Sequence, residues 1–265
     1  MDGIRAEYVN QAANFDNGYV YDNANNGILL AGRNNILQNS ELAYASGGLV
    51  TLQGENNRLI NNYIHDADYT GGWVSAVNLA GTGHVAAYNT ITRAGRDLVN
   101  LRQTKAGLIE HNDISYAGEL CEDLGMLYTY SADGAGTEIR YNRIHDSDIA
   151  NGIYLDNNSS NFVVHHNVAY NLKARSGLKN NAYSSFNLFF NNTNYNEASM
   201  NMIALADYPL TAYGTRYYNN ILGNSYSTAS DIAWSSNIVM GSNQADSIFR
   251  NPGEGDFRLK EGTAT

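Results

Sequence analysis

The feature that most constrains the fold of this chain is a repeated Asn, which precedes a short corner-forming segment at intervals of 23 to 30 residues. A repeat of this length is typical of a solenoid, in which each unit stacks on the previous one. We assign Asn62, Asn89, Asn112, Asn142 and Asn167 to structure, because Asn tolerates left-handed backbone and its amide can bond the Asn one unit away. The markers are Asn39, Asn62, Asn89, Asn112, Asn142, Asn167, Asn192 and Asn220.

Between the markers, apolar and polar residues alternate over short runs such as residues 49–53, 98–102 and 153–156. This period of two predicts β-strands, and the Gly, Asn and Asp residues between the runs predict turns. Two or three short strands in each unit of about 25 residues predict one rung of a parallel β-helix. The sequence therefore predicts an all-β, single-stranded parallel β-helix of about eight or nine rungs.

The repeat also suggests how the chain is divided. Residues 1–26 are polar and predict an irregular N-terminal cap or a first imperfect coil, because the terminal units of a solenoid are atypical. The β-helix is expected over residues 27–240. Residues 241–265 are expected to form a closing segment that ends abruptly, as in a truncated chain.

Composition narrows the classes of partner. The net charge is -10 and only 16% of the residues are charged, which disfavours a nucleic-acid surface. A single Cys excludes an intrachain disulfide, and no apolar run is long enough for a membrane span. About one residue in seven is Asn, and 20 are Tyr. Tyr offers an apolar face and a hydroxyl, which suits a surface that binds sugars.

Aligning the rungs predicts which side chains share a face of the solenoid. Val77, Val99, Leu127 and Ile153 fall at inward positions, so their neighbours point outward. Together the outward residues of the central rungs predict a polysaccharide-binding groove made of Asn100, Arg102, Tyr128, Tyr130, Tyr154, Lys179 and Asn181. The two predicted outward columns are Thr51, Asn78, Asn100, Tyr128, Tyr154, Lys179 and Gln53, Ala80, Arg102, Tyr130, Asp156, Asn181.

Glycoside hydrolysis is the first chemistry that this face predicts. It needs two carboxyl groups, one as the acid and one as the base or nucleophile. Asp156 ends a central strand and is the first candidate. The candidates for the partner are Asp123, Glu122 and Asp133. Asp123 comes before the strand position that aligns with Asp156, and the segment between them would span roughly 20 Å if fully extended. Therefore either the chain bends at Gly125 or Asp133 is the partner.

A family resemblance points the same way. The segments 122–129 and 152–156 resemble paired blocks of β-helix glycoside hydrolases of the α-L-fucosidase/xylanase type. The segments 249–252 and 255–259 resemble the closing segment of secreted β-helix carbohydrate-active proteins. The resemblance implies a right-handed helix, an extracellular location and a catalytic acid in each block, at Asp123 and Asp156.

A polysaccharide lyase is the alternative enzyme. β-Elimination needs a cation to neutralise the uronate and a base to remove the C5 proton. Arg102, Lys105, Lys179 and Tyr130 offer those groups. Asp156 and Asp133 could then hold Ca²⁺, whereas the hydrolase needs no cofactor or metal.

A non-catalytic rod is the third alternative. A glycan-binding or structural β-helix segment would show no acid and base within reach of one sugar. No apolar signal segment opens the chain, so the extracellular location rests on the resemblance and on the expected polysaccharide or oligosaccharide partner. Neither nucleic acid nor membrane is expected as a partner.

Overall fold

The computed structural model shows a parallel β-solenoid. It describes residues 27–173, 175–181, 183–195, 212–223, 232–240 and 244–263, and gives the backbone alone for three short strands before residue 27. The expected cap over residues 1–26 therefore lies mostly outside the described residues. Among the described residues, no helix has the length and apolar character that crossing a membrane requires.

Three parallel sheets form the sides of the solenoid. Sheet I contains β4 (Ile28–Arg33), β7 (Val50–Glu55), β10 (Ser75–Thr82), β13 (Asp97–Lys105), β16 (Gly125–Tyr130), β19 (Asn151–Asp156) and β22 (Leu178–Asn180). Sheet II contains β5 (Ile36–Gln38), β8 (Arg58–Ile60), β11 (Val85–Ala87), β14 (Leu108–Glu110), β17 (Asp133–Arg140), β20 (Ser160–His165), β23 (Leu188–Phe190), β25 (Arg216–Tyr218) and β27 (Ala233–Ser235). Sheet III contains β1 (Arg5–Tyr8), β6 (Glu41–Ala45), β9 (Tyr63–Ala67), β12 (Thr90–Ala94), β15 (Asp113–Ala117), β18 (Arg143–Ser147), β21 (Val168–Leu172), β24 (Thr193–Tyr195), β26 (Ile221–Leu222) and β28 (Ile238–Val239).

The ends of the described chain depart from this pattern. Near the N-terminus, β2 (Ala13–Asp16) and β3 (Tyr19–Asp22) pair antiparallel. Near the C-terminus, helix α1 (Ala245–Ile248) is followed by the antiparallel strands β29 (Phe249–Asn251) and β30 (Asp256–Leu259), with a 3-10 turn (Pro252–Glu254) between them.

Each rung passes through sheets I, II and III in that order, and the next rung stacks beside it in parallel register. Among the described residues, seven rungs have a strand in every sheet, and β25 to β28 belong to two further, incomplete turns. The predicted parallel β-helix is therefore confirmed, with about seven complete rungs where the sequence predicted eight or nine in all. Because every strand pairs with the equivalent strand of the next rung, loops of different length leave the sheets in register.

The core is a set of aliphatic stacks along the axis. On sheet I, Val77, Val99, Leu127 and Ile153 lie at paired positions and are fully or almost fully buried. Burying one such side chain stabilises a fold by about 1.5 to 3 kcal/mol. Since successive residues of a strand point to opposite faces, the same register directs the alternate side chains outward.

An asparagine ladder runs along the corner between sheets II and III. Asn112 is typical: its backbone N–H and its side-chain Nδ2 donate to Oδ1 of Asn142 at 3.1 and 3.0 Å, and its Nδ2 also donates to the Ala86 carbonyl. The ladder consists of Asn62, Asn89, Asn112, Asn142, Asn167, Asn192, Asn220 and Asn237. Most of the predicted markers are thus confirmed as structural residues.

The predicted marker of the first rung, Asn39, lies one residue before the true ladder position. The ladder position of that rung is Ser40, whose backbone N–H donates to Oδ1 of Asn62. Asn39 has φ of 53° and occupies the left-handed position that precedes the corner in each rung, as Tyr88 and His111 do. The prediction fell on Asn39 because Ser replaces Asn at the ladder position of the first rung.

Candidate functional site

The candidate site lies on the outer face of sheet I, in the central rungs. Tyr128 pairs with Tyr154 across β16 and β19, and Tyr154 pairs with Lys179 across β19 and β22. Tyr130 pairs with Asp156 one pleat further along. These pairings match the predicted outward columns. The structure therefore brings together the tyrosines, the carboxylate and the lysine on which the sequence analysis depended.

Asp156 is the most constrained side chain of this face. Its Oδ2 accepts a hydrogen bond from the Tyr128 hydroxyl at 2.8 Å, and its Oδ1 accepts from Asn181 Nδ2 at 2.6 Å. The backbone N–H of Asn157 donates to Oδ1 at 2.8 Å. Although Asp156 points outward, only 6% of its surface is exposed. Three donors therefore hold this carboxyl group in one orientation.

Tyr154 and Lys179 complete what we call the Asp156 cluster: Asp156, Tyr128, Tyr154, Asn181 and Lys179. Asn181 Nδ2 also donates to the Tyr154 hydroxyl at 2.9 Å. The Lys179 ammonium lies 4.1 Å from the centroid of the Tyr154 ring, within the range of a cation–π contact. One amide thus joins the carboxylate to the second tyrosine, and the lysine covers that tyrosine.

Burial controls protonation in the cluster. It raises the pKa of the Tyr128 and Tyr154 hydroxyls, and the charge of Asp156 raises it further, so both remain donors at neutral pH. Burial also lowers the pKa of Lys179, while Asp123 and Asp156 act in the opposite direction. Lys179 therefore loses its proton more readily than an exposed lysine.

Asp123 reaches the cluster from a loop. We call the segments 68–74, 95–96 and 118–124, which lead into successive strands of sheet I, the loop edge. Asp123 is exposed there with φ of 56°, and its charge contributes to the raised pKa of Tyr154. The charge of Asp123 acts on both Tyr154 and Lys179, so the separation expected for an extended chain does not apply.

Arg96 and Asp97 lie beside the cluster and were not predicted. Nη1 of Arg96 contacts both carboxylate oxygens of Asp97 at 2.9 and 2.7 Å, and only 4% of Arg96 is exposed. The guanidinium carbon lies 4.1 Å from the ring centroid of Trp73 and 5.1 Å from that of Tyr128. Burial raises the pKa of Asp97 to about 6, although Arg96 opposes this shift. A buried ion pair therefore links the loop edge to the cluster.

Arg102 departs from its predicted alignment. A shift of register in β13 pairs Ala80 with Gln103, whereas the sequence analysis placed Arg102 at that level. The reason is an irregularity after Asn100, which adds one residue to β13. The Arg102 guanidinium still lies 5.4 Å from the Tyr130 ring centroid, and Asn100 pairs with Tyr128 as predicted.

Asp133 does not join the cluster. It begins β17, on sheet II, and accepts hydrogen bonds from Asn161 Nδ2 and the Ala135 N–H, both at 2.9 Å. Those bonds, led by that from Asn161, lower its pKa, and the charge of Lys105 acts in the same direction. Asp133 is a corner residue here, which leaves Asp123 as the carboxyl group whose charge acts, with that of Asp156, on Tyr154 and Lys179. Among the described residues, no group of three His, Cys, Asp or Glu side chains is placed to hold a metal ion.

A family model described as a right-handed β-helix region matches residues 2–167. The chain belongs to the right-handed β-helix family. No curated protein matches it in sequence. Its structure is similar to that of an alginate lyase from Paenibacillus sp. str. FPU-7, with a TM-score of 0.58, 12% identity, and coverage of 81% of this chain and 86% of the lyase.

A second solved structure is similar to this right-handed β-helix. It is DFA-IIIase from Arthrobacter chlorophenolicus A6 without its lid, with a TM-score of 0.51 and 13% identity. The match covers 91% of this chain and 59% of the other. At these identities the likenesses show a shared fold. They confirm the right-handed parallel β-helix that the resemblance implied.

Within this right-handed β-helix, the sequence analysis missed Trp73, Arg96 and Asp97. Two signals were present. Arg96 and Asp97 are adjacent opposite charges directly before the apolar strand residues 98–99, in a chain with few charges. Trp73 is one of only two tryptophans. Neither signal repeats between rungs, so the rung alignment did not detect them.

Proposed function

We propose that this protein binds a polysaccharide along the outer face of sheet I and hydrolyses its glycosidic bonds. The observation that supports this proposal is the Asp156 carboxyl group, which Tyr128, Asn181 and a backbone N–H hold in one orientation. Fixed carboxyl groups on either side of a glycosidic bond are the catalytic requirement of hydrolysis. A rod with a polar and aromatic face suits a linear chain of sugars.

The two carboxyl groups have different surroundings, and so we assign them different roles. Asp156 accepts three hydrogen bonds, which hold its carboxyl group in one orientation, as a nucleophile or base requires. Asp123 is exposed on the loop edge, where a leaving sugar oxygen has access to it. We assign Asp156 as the nucleophile or base and Asp123 as the acid. Asn100, Arg102, Tyr130 and Lys179 would contact the sugars on either side.

A polysaccharide lyase is the second candidate, and Lys179 is the reason. Burial lowers its pKa, which increases the fraction of neutral amine available as a base. Arg102 would provide the cation that neutralises a uronate. The similar alginate lyase is, by its name, an enzyme of this class.

A panel of neutral and uronate polysaccharides tests both candidates. Reducing ends that appear without the ultraviolet absorbance of an unsaturated uronate would support hydrolysis. Both signals together would support elimination, with Lys179 as the base. Silence across a broad panel would contradict both enzymes and favour a non-catalytic glycan-binding rod.

Substitution then separates the carboxyl groups. We expect Asp156→Asn and Asp123→Asn to lower kcat by about a thousandfold, because each removes one half of the acid–base pair. Asp133→Asn is the matched control and should leave kcat unchanged. Full activity of folded Asp156→Asn would contradict the assignment, and loss of activity in Asp133→Asn would make Asp133 the partner. An extracellular location is part of the proposal, and fractionation of the source cells would test it.

A further inference from the structure

We propose that Trp73 forms a sugar-stacking subsite of the same groove, at a distance from the point of cleavage. It lies on the loop that leads into β10, while Asp156 lies on β19, three strands away in sheet I. That separation is roughly 14 Å along the axis, so a different sugar unit of the same chain would occupy it. The inference rests on the proposed function only in taking a glycan as the ligand.

The surroundings of Trp73 are unusual for a surface residue. Its indole ring packs on the Arg96 guanidinium at 4.1 Å, yet 47% of the residue remains exposed. Arg96 is itself buried and bound to Asp97, so the cation beneath the ring is fixed. A large aromatic ring held by a buried ion pair is a rigid platform, and rigidity lowers the entropy lost when a ligand binds.

The loop that carries Trp73 is also fixed. Asp68 Oδ1 accepts a hydrogen bond from the Gly72 N–H at 2.9 Å, and the Thr70 hydroxyl donates to the Ser46 carbonyl at 3.1 Å. Gly71 packs so closely on Leu120 of the neighbouring loop that a Cβ at Gly71 would lie 3.1 Å from Leu120 Cβ. Two loops of the loop edge therefore support each other beside the indole.

Contacts connect this platform to the candidate catalytic group. The Arg96 guanidinium contacts the rings of both Trp73 and Tyr128, and the Tyr128 hydroxyl donates to Asp156. Trp73 and Asp156 are thus joined by one continuous chain of contacts. The apolar C–H face of a sugar ring matches an indole ring, while its hydroxyls remain in water or bind polar groups.

The other exposed aromatic row of the molecule does not suit sugar stacking. Tyr88, His111 and Tyr141 stack with ring centroids 5.0 Å apart and interplanar angles of 1° and 7°. Each ring in this row covers the face of its neighbour, so the row presents ring edges to solvent. These aromatics stabilise the corner, whereas Trp73 packs on a cation.

The test is glycan binding measured by tryptophan fluorescence. Trp234→Phe leaves Trp73 as the single tryptophan of the chain, so its emission reports on the subsite alone. Short and long oligosaccharides of alginate, xylan and inulin are the probes. We expect long oligosaccharides to change the emission of Trp73 and short ones to do so less, because only long chains span the distance from the cluster.

Substitution gives the second measurement. Trp73→Ala should weaken binding of the long oligosaccharide about tenfold in calorimetry. Trp73→Leu, which keeps an apolar side chain without a ring, should weaken it to a similar extent and guards against a folding defect. Tyr69→Ala is the matched control, because Tyr69 is 54% exposed on the same loop but lies near Asp66 and Tyr44 of sheet III. It should bind normally.

The outcomes separate this inference from the proposed function. Fluorescence changes without turnover on any polysaccharide would support the subsite and contradict the enzyme. Turnover with unchanged affinity in Trp73→Ala and Trp73→Leu would overturn the subsite and leave the enzyme standing. No change of emission with any of the three oligosaccharide series would also overturn the subsite.

Discussion

The asparagine ladder and the Asp156 cluster are both buried polar arrangements, but they differ in repetition. In the ladder, one residue type makes the same bonds in successive rungs, as Asn112 and Asn142 do. In the cluster, Tyr128, Asp156 and Asn181 make bonds that differ from rung to rung. Polar residues that repeat from rung to rung therefore indicate the architecture of a solenoid, whereas polar residues that break the repeat indicate the candidate site.

The two regions also differ in how completely their polar atoms are bonded. Each ladder amide from Asn62 to Asn220 both donates and accepts. Among the described residues, buried atoms without a protein hydrogen-bond partner include Asp68 Oδ2, Thr129 Oγ1 and Asn181 Oδ1, on sheet I or its loop edge. Such atoms lower stability. The ladder therefore stabilises the rod, whereas unbonded polar atoms, which also occur at Asn194 of sheet III and Tyr217 of sheet II, lower its stability.

The largest expected effect comes from breaking the ladder. Asn142→Ala removes the acceptor of two Asn112 donors and the side-chain amide that donates to the Ile109 carbonyl and to Asn167 Oδ1. We expect a loss of about 4 kcal/mol in the free energy of unfolding, because buried groups lose their bonds, and nearly unchanged kcat in the folded fraction. Chemical denaturation measures it.

Asn61→Gly is the control for the ladder variant. It removes an exposed amide one residue before the corner, at a φ of 53° that Gly adopts readily. Its cost should stay below about 1 kcal/mol. Equal costs for the two variants would mean that the ladder contributes no more than the exposed row beside it.

The next largest expected effect is a loss of kcat when one hydrogen bond of the Asp156 cluster is removed. Tyr128→Phe removes one donor to Asp156 and keeps the ring that contacts Arg96. We expect kcat on the identified substrate to fall about 10- to 100-fold, the equivalent of one hydrogen bond to a charged group. Stability should fall less than in Asn142→Ala. Tyr63→Phe, on the exposed part of sheet III, is the control, and equal kcat in the two variants would remove Tyr128 from the site.

The last expected effect is a pH dependence of the stability of the protein, which arises at the loop edge. Burial raises the pKa of Asp68 from 3.8 to about 8. Because the pKa of Asp68 is raised in the folded protein, its protonated form contributes stability that is fully present below about pH 4. This contribution is lost as the pH rises through 8. Asp68→Asn should therefore match the parent protein in stability at pH 4 and be the more stable of the two at pH 9. Thermal unfolding across pH measures this, and parallel curves would contradict it.

The fold was predictable from the sequence because its determinants repeat. The spacing of Asn62, Asn89 and Asn112 gives the rungs, and alternation within each rung gives the face on which a side chain lies. The column of Tyr128, Tyr154 and Lys179 followed from these two periods alone. Asn39 fell out of the ladder where one rung uses Ser in place of Asn.

The rest of the candidate site was not predictable for a physical reason. The irregularity in β13 displaces Arg102, and no residue pattern in the repeat predicts that irregularity. Trp73 and Arg96 lie on the loop edge, where the path of the backbone depends on contacts between neighbouring loops. Periodicity contains no information about such contacts.

The ladder also has a consequence for how this gene can change by duplication. Since each corner amide bonds only to the rungs directly before and after it or to its own rung, copying one whole rung at most places along the axis would preserve the bonding pattern of the ladder. A copy inserted between the turn with Tyr128 and the turn with Asp156 would separate a hydroxyl from its carboxylate. Descendants of this gene can therefore become longer at the ends of the rod, while the order of the central turns is inherited as a unit.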